Sequence, residues 1–196
     1  MKVSLGARTI AFPLPVWVIG TYNEAGRPNA MTASWAGVCC SQPPCVYFSA
    51  RASRYTYKNV QARKAFTVNI PELRHAAAAD YLGLVSGQSV DKFAVARLTP
   101  VRAEHVDAPA VAEFPLTLEC RLVQAIELGT HAMFIGEIAD VKCAESVLGL
   151  EGKPDMRKLR PFIYSTADAA YYAVERSIGR AYELGLIIEP SAGPVR

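Results

Sequence analysis

Two arginines and two hydroxyl-bearing residues lie within residues 51–56, at the predicted start of a helix. Ser53 is a favourable residue for capping that helix. The helix dipole disfavours cations at this end, so the presence of Arg51 and Arg54 needs an explanation. A bound phosphate provides one, because free backbone N–H groups, the hydroxyls of Ser53 and Thr56 and the guanidinium groups would converge on an anion. The alternative is a solvated basic surface with a serine cap.

Small polar side chains occur upstream, in residues 28–35. On a strand, Thr32 and Ser34 would face the same side, where their hydroxyls and exposed backbone could match the edge of a heterocycle. The alternative is an ordinary strand with one polar face. Combined with the arginine-containing segment, this run predicts a pocket for a planar ring that carries a phosphate. The candidates in this run are Asn29, Met31, Thr32, Ala33, Ser34 and Trp35.

A polar loop at residues 86–93 supplies a third group of candidates. Ser86 and Gly87 could bring the backbone close to a ligand, because glycine has no side chain to obstruct the approach. Lys92 could contact a phosphate or a negatively charged ring. The alternative is that Asp91 caps a short helical turn and leaves Lys92 exposed.

Other catalytic signatures are missing from the sequence. His131 follows a predicted turn at Gly129, but the three histidines show no HxH or HExxH spacing, and no Cys/His pattern indicates a metal. The GxSxG elbow of α/β-hydrolases and the GxGxxG fingerprint of dinucleotide-binding folds are both absent. The five cysteines form no CxxC pair, and we interpret them as reduced thiols buried in apolar segments.

The composition predicts one globular domain. The 196 residues carry a net charge of +3, and 51% of them are hydrophobic. We therefore treat residues 1–196 as a single domain that ends in a tail at residues 190–196. The scattered basic residues form no stripe for nucleic acid. No apolar run reaches the roughly 18 residues of a membrane span, and Pro13 and Pro15 interrupt the apolar N-terminal stretch, so we expect a cytoplasmic protein without a signal peptide.

The candidate residues lie on or beside strands that are separated by short turns. Apolar and β-branched runs predict strands at residues 16–22, 29–38, 45–49, 65–70, 114–127, 131–143, 162–164 and 168–172. Helices are predicted at residues 53–62, 74–82 and 174–184, with a short turn opening at Asp91. The first three strands suggest an antiparallel meander. About six or seven strands with two or three helices indicate an antiparallel barrel with helical decoration, not a doubly wound sheet.

Taken in order, several segments resemble the flavin reductase-like family of FMN-binding split barrels, most closely its flavoredoxin branch. The match extends over roughly residues 10–180, and the agreement of many pieces makes it more specific than any single motif. The matching pieces are residues 28–35, 51–56, 66–71, 80–83, 86–87, 90–93, 118–120, 131–138 and 171–172.

The resemblance implies a mainly β fold: a six-stranded antiparallel split β-barrel with a Greek-key element, assembled as a homodimer with FMN near the subunit interface. The residues that would line the isoalloxazine are Thr32, Ala33, Ser34 and Trp35. Those that would hold the ribityl chain and phosphate are Ser49, Arg51, Ser53, Arg54 and Thr56. The loop residues that would close over the cofactor, in the same or the partner subunit, are Ser86, Gly87 and Lys92. His131 would stand near the open face of the ring, and Asn69 would support the surrounding residues.

The resemblance also implies that FMN performs the chemistry, so that no side chain needs to act as acid, base or nucleophile. The first function that follows is an NAD(P)H-dependent flavin oxidoreductase, in which FMN N5 accepts a hydride from NADH or NADPH. The second is a flavoredoxin-type electron-transfer protein with tightly bound FMN and a protein redox partner. A third alternative is a binding module whose pocket is empty or has another use.

Overall fold

The computed structural model describes residues 1–188, and β-strands dominate this part of the chain. The strands are β1 (Leu14–Pro15), β2 (Trp17–Tyr22), β3 (Pro28–Ala33), β4 (Ala36–Ser41), β5 (Pro44–Arg51), β6 (Ala65–Ile70), β7 (Pro100–Arg102), β8 (Pro109–Val111), β9 (Leu116–Leu128), β10 (His131–Cys143), β11 (Phe162–Ser165) and β12 (Ala170–Ala173). The α-helices are α1 (Tyr55–Arg63), α2 (Ala76–Leu84), α3 (Lys92–Ala96) and α4 (Met156–Leu159). Short 3-10 turns occur at Leu73–His75, Glu145–Val147 and Leu184–Ile187. The expectation of a mainly β fold with helical decoration is confirmed.

Seven strands form the main antiparallel sheet, in the order β3-β2-β6-β9-β10-β5-β4. This is one strand more than the six that the sequence led us to expect. The predicted meander is wrong, because the hairpins β2–β3 and β4–β5 lie at opposite ends of the sheet order. Only Ser34 and Trp35 connect those two ends along the chain, so the sheet must curve until its edges meet. The backbone N–H of Ser49 donates to the carbonyl of Trp35 at 2.8 Å, which ties β5 to this junction.

Two further predictions of secondary structure are wrong. The strand predicted at residues 29–38 is interrupted between β3 and β4, where the N–H of Ala36 donates to the carbonyl of Ser34 at 3.0 Å and turns the chain. The helix predicted at residues 174–184 does not form over residues 174–183, and every residue of that segment is exposed. A helix of this length needs an apolar face to bury, and the segment buries none. The predicted tail at residues 190–196 lies outside the described residues.

Aromatic side chains fill the interior of the curved sheet. Phe48 packs edge-on against Phe66, with ring centroids 5.1 Å apart, and stacks on Phe134 at 5.2 Å. All three rings are fully buried. Gly136 permits this packing, because a Cβ at that position would lie only 2.4 Å from the Phe66 ring. Strands β5, β6 and β10 are therefore anchored in one rigid core.

A second core joins the helices to the sheet. Ala79 and Leu82 of α2, Phe93 of α3 and Phe162 of β11 pack together with Ala30 of β3. The result places α2 and α3 beside β3, which is an edge strand of the main sheet. No helix within residues 1–188 combines the length and the apolar character needed to cross a bilayer.

Asn69 stabilises the fold through hydrogen bonds between strands. Its amide donates to the carbonyl of Val18 at 3.0 Å and to Thr67 Oγ1 at 2.8 Å, while its Oδ1 accepts from the N–H of Val111 and the hydroxyl of Thr117, both at 3.0 Å. These bonds join β2, β6, β8 and β9. The supporting role expected for Asn69 beside the cofactor is not what this network provides.

We predict that Phe48→Ala lowers the free energy of unfolding by about 3–5 kcal/mol, because the buried ring is replaced by a cavity. Chemical denaturation followed by circular dichroism measures the change. Val123→Ala is the matched control, since the Val123 side chain is 58% exposed and its truncation opens no cavity. A loss below 1 kcal/mol for Phe48→Ala would contradict the role of this ring in the core.

Candidate functional site

A cleft at the junction of β3, β5 and α2 consists of two adjoining cavities. We call them the aromatic cavity, of about 410 Å³, and the basic cavity, of about 470 Å³. Both are lined by Met31, Arg51 and Arg54, so they form one continuous depression. The predicted residues in the aromatic cavity are Met31, Thr32, Ala33, Ser34, Trp35, Ser49, Arg51, Arg54 and His131. Those in the basic cavity are Met31, Arg51, Ser53, Arg54, Thr56, Ser86, Gly87 and Lys92.

One wall of the aromatic cavity is formed where the chain is interrupted between β3 and β4. There the Trp35 ring, which is 39% exposed, packs against the His131 ring with centroids 4.7 Å apart and a tilt of 31°. His131 begins β10, and its Nδ1 lies 2.8 Å from Thr130 Oγ1 within hydrogen-bonding distance. Thr32 donates its hydroxyl to the carbonyl of Ala79, which holds the edge of β3 against α2. The wall therefore combines stacked rings with the exposed edge of a strand.

The lining of the aromatic cavity also contains residues that the sequence did not identify as site residues. They are Asp80 from α2 and Tyr164, Ala169 and Tyr171 from the β11–β12 hairpin. The hydroxyl of Tyr171 donates to Asp80 Oδ1 at 2.8 Å. Residues 80–83 and 171–172 belong to the family resemblance, and that was the available indication of their importance.

The basic cavity surrounds the N-terminus of α1. Arg54 is the N-cap residue, with extended backbone angles (φ −76°, ψ 135°), and within residues 1–188 no side chain caps the first turn. The prediction that Ser53 caps this helix is therefore wrong by one position. Because the first N–H groups of a helix have no partner inside it, they remain available to an anion that enters the cavity. Arg51 and Arg54 place positive charge at the same point.

Asn29 lies behind the basic cavity in a buried polar network that includes Thr56, one of the residues that line the cavity. Asn29 Nδ2 donates to Thr56 Oγ1 at 2.9 Å and lies 3.4 Å from Thr21 Oγ1, which also accepts from Asn59 Nδ2 at 3.1 Å. The expectation that Asn29 forms a ring edge is not met, because Asn29 lines neither cavity. Its Oδ1 is buried without a hydrogen-bond partner among the described residues.

Gly87 allows the polar loop to approach this network. A Cβ at Gly87 would lie 2.0 Å from Asn29 Oδ1 and 3.2 Å from the Tyr55 ring. Any other residue would have to displace the Asn29 amide or move the loop away from α1. The loop therefore lies close to Asn29 and α1, while the approach of Ser86 and Gly87 to a ligand stays a prediction.

Lys92 is 5% exposed, so the alternative that left it exposed is wrong. Its Nζ donates to the carbonyl of Ala30 on β3 at 2.8 Å and to the carbonyl of Leu82 on α2 at 2.7 Å. Arg54 Nη1 donates to the carbonyl of Gly83 at 3.2 Å, so two cations satisfy the C-terminal end of α2. Burial, together with the charge of Arg54, lowers the pKa of Lys92 to about 8. Asp91 does cap α3, by accepting the N–H of Ala94 at 3.1 Å.

The charge of the cleft is predominantly positive. Arg51, Arg54 and Lys92 line it, and Asp80 is the one carboxylate among its described lining residues. Residues 1–188 contain no group of three or more His, Cys, Asp or Glu side chains that could hold a metal ion. The arrangement suits an organic anion whose ring lies in one cavity and whose charged group lies in the other.

Comparison with known proteins identifies the family. Residues 8–166 match the family model described as a flavin reductase like domain. The chain belongs to the flavin reductase-like family. Flavoredoxin of Desulfovibrio vulgaris (Miyazaki F) is 49% identical, with a TM-score of 0.90 over 94% of this chain and 100% of that chain. Flavoredoxin from Methanosarcina acetivorans is 30% identical, with a TM-score of 0.86 over 96% of this chain and 98% of that one.

A curated relative from Archaeoglobus fulgidus, described as an uncharacterized protein, is 31% identical over 145 residues, which are 74% of this chain and 80% of the relative. These similarities confirm the family resemblance and the split-barrel fold class that the sequence indicated. The seventh strand of the main sheet is a difference of detail from the six that were expected.

We predict that the low pKa of Lys92 makes stability depend on pH. The pKa falls from 10.5 in the unfolded chain to about 8 in the folded protein, so the unfolded chain binds more protons between these values. This contribution to stability is present above pH 10.5 and is lost as the pH falls through 8, by up to about 3 kcal/mol. Urea denaturation at pH 7 to 10.5 measures it. Lys92→Met should remove this part of the pH dependence, and an unchanged pH profile in that variant would contradict the assignment.

Proposed function

We propose that the protein binds FMN in the cleft, with the phosphate in the basic cavity and the isoalloxazine in the aromatic cavity. The observation that carries this proposal is the continuity of the two cavities across Met31, Arg51 and Arg54. The uncapped N-terminus of α1 and the two arginines suit a phosphate, while the stacked pair of Trp35 and His131 suits a planar ring.

Different residues of the chain would bind different parts of the cofactor. Arg51 and Arg54 would neutralise the phosphate, and the first N–H groups of α1 would donate hydrogen bonds to it. The loop at Ser86 and Gly87 would cover the phosphate end. The segment from Thr32 to Trp35 would offer the hydrogen-bonding edge of β3 to the ring.

The redox chemistry would be supplied by bound FMN, which accepts a hydride or electrons at N5. The protein contributes position and field, so none of the lining side chains needs to transfer a proton. Because Arg54 and Lys92 are fixed by carbonyls of α2 and β3, they hold positive charge beside the site without rearrangement. Trp35 and His131 form a surface on which the ring could rest.

As the activity, we infer an oxidoreductase in which NADH or NADPH reduces FMN and the electrons pass on to free flavin, oxygen or a protein. Membership of the flavin reductase-like family supports this inference. A specific observation favours a second candidate, a flavoredoxin-type carrier with tightly bound FMN and a protein redox partner. That observation is the similarity to two flavoredoxins over nearly the whole chain.

Anaerobic mixing separates the two candidates. If the holoprotein is a reductase, NADH or NADPH should bleach the flavin absorbance near 450 nm within the time of catalytic turnover. If it is a carrier, neither nucleotide should bleach the flavin quickly, whereas a reduced electron-transfer protein should do so. Failure of the protein to take up FMN at all would contradict both candidates.

We predict that Arg54→Ala weakens FMN binding by about 1.5–3 kcal/mol, because it removes a charge-assisted contact with the phosphate. This corresponds to a roughly 10- to 150-fold increase in Kd, measured by quenching of flavin fluorescence. Arg27→Ala is the matched control, because Arg27 is exposed and lies outside both cavities. Riboflavin, which has no phosphate, should bind both variants equally. Unchanged affinity of Arg54→Ala for FMN would rule out the phosphate contact.

We also propose a homodimer. Several apolar side chains of the C-terminal segment are exposed, among them Ile178, Tyr182 and Leu186, and an apolar surface of this kind suits a subunit interface. Light scattering coupled to size exclusion should give twice the mass of the 21.3 kDa chain. A monomer at micromolar concentration would contradict the proposal.

A further inference from the structure

A small sheet separate from the main sheet forms one wall of the aromatic cavity. It consists of β1, β11 and β12 in the order β1-β11-β12. Tyr164 and Tyr171 are register partners across β11 and β12, and both line the cavity together with Ala169 from the turn between these strands. The β11–β12 hairpin and the Trp35–His131 pair therefore line the same cavity, which is the place proposed for the ring.

One hydrogen bond connects this hairpin to α2 at the cavity. The hydroxyl of Tyr171 donates to Asp80 Oδ1 at 2.8 Å. Because the acceptor is a carboxylate, the bond is stronger than one between two neutral groups. Burial raises the pKa of Tyr171, and the hydrogen bond to Asp80 raises it further, so the hydroxyl keeps its proton throughout the ordinary pH range.

The Tyr171 ring is fixed from the other side by aromatic neighbours. It meets Phe162 edge-on, with centroids 5.5 Å apart, and Tyr164 at 5.6 Å. Phe162 itself is buried in the core that contains α2 and α3. The Tyr171 ring, which is 37% exposed, is thus packed on one side against these neighbours and presents its hydroxyl to Asp80.

The backbone of the turn between β11 and β12 is also constrained. Ala169 has φ +54°, a left-handed conformation that is unfavourable for an alanine because of its Cβ. The preceding Thr166 is tied to Ala11 by two hydrogen bonds, of 3.2 and 3.3 Å. The hairpin is thereby held at Ala11 on one side and at Asp80 on the other, with the strained residue between these points and against the cavity.

We propose that Tyr171 and Asp80 form a latch that holds the β11–β12 hairpin over the aromatic cavity, and that Tyr171 is a positioning residue which limits release of the flavin and access to its ring. The inference rests on the proposed binding of FMN in the cleft. With the latch closed, the hairpin restricts which molecules reach the ring. With the latch open, bulkier molecules reach it and the flavin leaves sooner.

The latch can be tested with four single variants and the double variant Tyr171→Phe/Asp80→Ala. Tyr171→Phe keeps the ring and removes the hydroxyl, while Asp80→Ala removes the acceptor. Asp80→Asn retains an oxygen that can accept the bond, so it should restore the behaviour of the native protein. The matched control is Tyr172→Phe, because the Tyr172 hydroxyl donates to Asp168 within the hairpin and its ring, 48% exposed, does not line the cavity.

Three measurements report on the latch without relying on turnover. The rate of FMN release is followed by stopped-flow fluorescence, and the access of acrylamide to bound FMN by Stern–Volmer quenching. Hydrogen exchange at the amides of Ala170–Ala173 is measured in the protein without FMN. We expect Tyr171→Phe and Asp80→Ala each to raise the release rate about two- to tenfold, with greater quenching and faster exchange. The double variant should show no further increase.

The outcomes separate the latch from the proposed function. If Tyr171→Phe releases FMN and exchanges amides as the native protein does, the latch is refuted while FMN binding stands. If Tyr172→Phe has the same effect as Tyr171→Phe, the effect comes from general weakening of the hairpin and the latch is also refuted. If the native protein binds no FMN, the proposed function fails, and with it the control of flavin access, even where hydrogen exchange still detects the contact between Tyr171 and Asp80.

Discussion

The free edge of β3 is the constraint on which the cleft depends. An edge strand presents backbone N–H and C=O groups that need partners, and in the main sheet β3 has β2 as its neighbour on one side. On the other side, Lys92 Nζ donates to the backbone carbonyl of Ala30. The side-chain hydroxyl of Thr32 donates to the carbonyl of Ala79 on α2. The same bonds that cover the edge also fix α2 and α3 beside it. Both cavities lie along this covered edge, so the hydrogen bonds that cover the edge of β3 also position the elements that form the site.

Backbone carbonyls, not carboxylates, hold two of the cations of the cleft. Lys92 and Arg54 are positioned by carbonyls of Ala30, Leu82 and Gly83. A carboxylate partner would neutralise each charge, whereas a carbonyl orients it and leaves the net charge in place. The mutual repulsion of these cations is part of the reason why the pKa of Lys92 is low. The protein therefore bears an electrostatic cost that a bound anion would relieve.

Local patterns predicted the strands that have sharp boundaries. The observed limits of β6 and β10 coincide with the predicted residues 65–70 and 131–143, because β-branched and aromatic runs end there at turn residues. The interruption at Ser34 and Trp35 was not predictable from local alternation, which continues through it. The sheet order also escaped prediction, because it depends on pairing between distant strands, as in β5 with β10.

The candidate site was predictable only where its residues are close in sequence. Residues close in sequence, such as Arg51 to Thr56, were recognised as a group from their types and their place at a helix start. Asp80 and Tyr171 are 91 positions apart and meet only in the folded chain. Asn29 was assigned to the ring edge because it shares a strand with Thr32, but its side chain points to the buried network behind the cavity. The helix predicted near the C-terminus failed because residues 174–183 bury no apolar face against the described part of the chain.

The position of Lys92 couples the cleft to the proton concentration. With a pKa of about 8, this side chain is partly neutral in mildly alkaline solution. An anion in the basic cavity favours its charged form, so occupancy of the cleft near pH 8 draws a proton from the solvent. Binding of the anion is then coupled to uptake of a proton, and the affinity of the cleft for an anion falls as the pH rises. A cell compartment that becomes more alkaline would loosen the ligand without any change in its concentration.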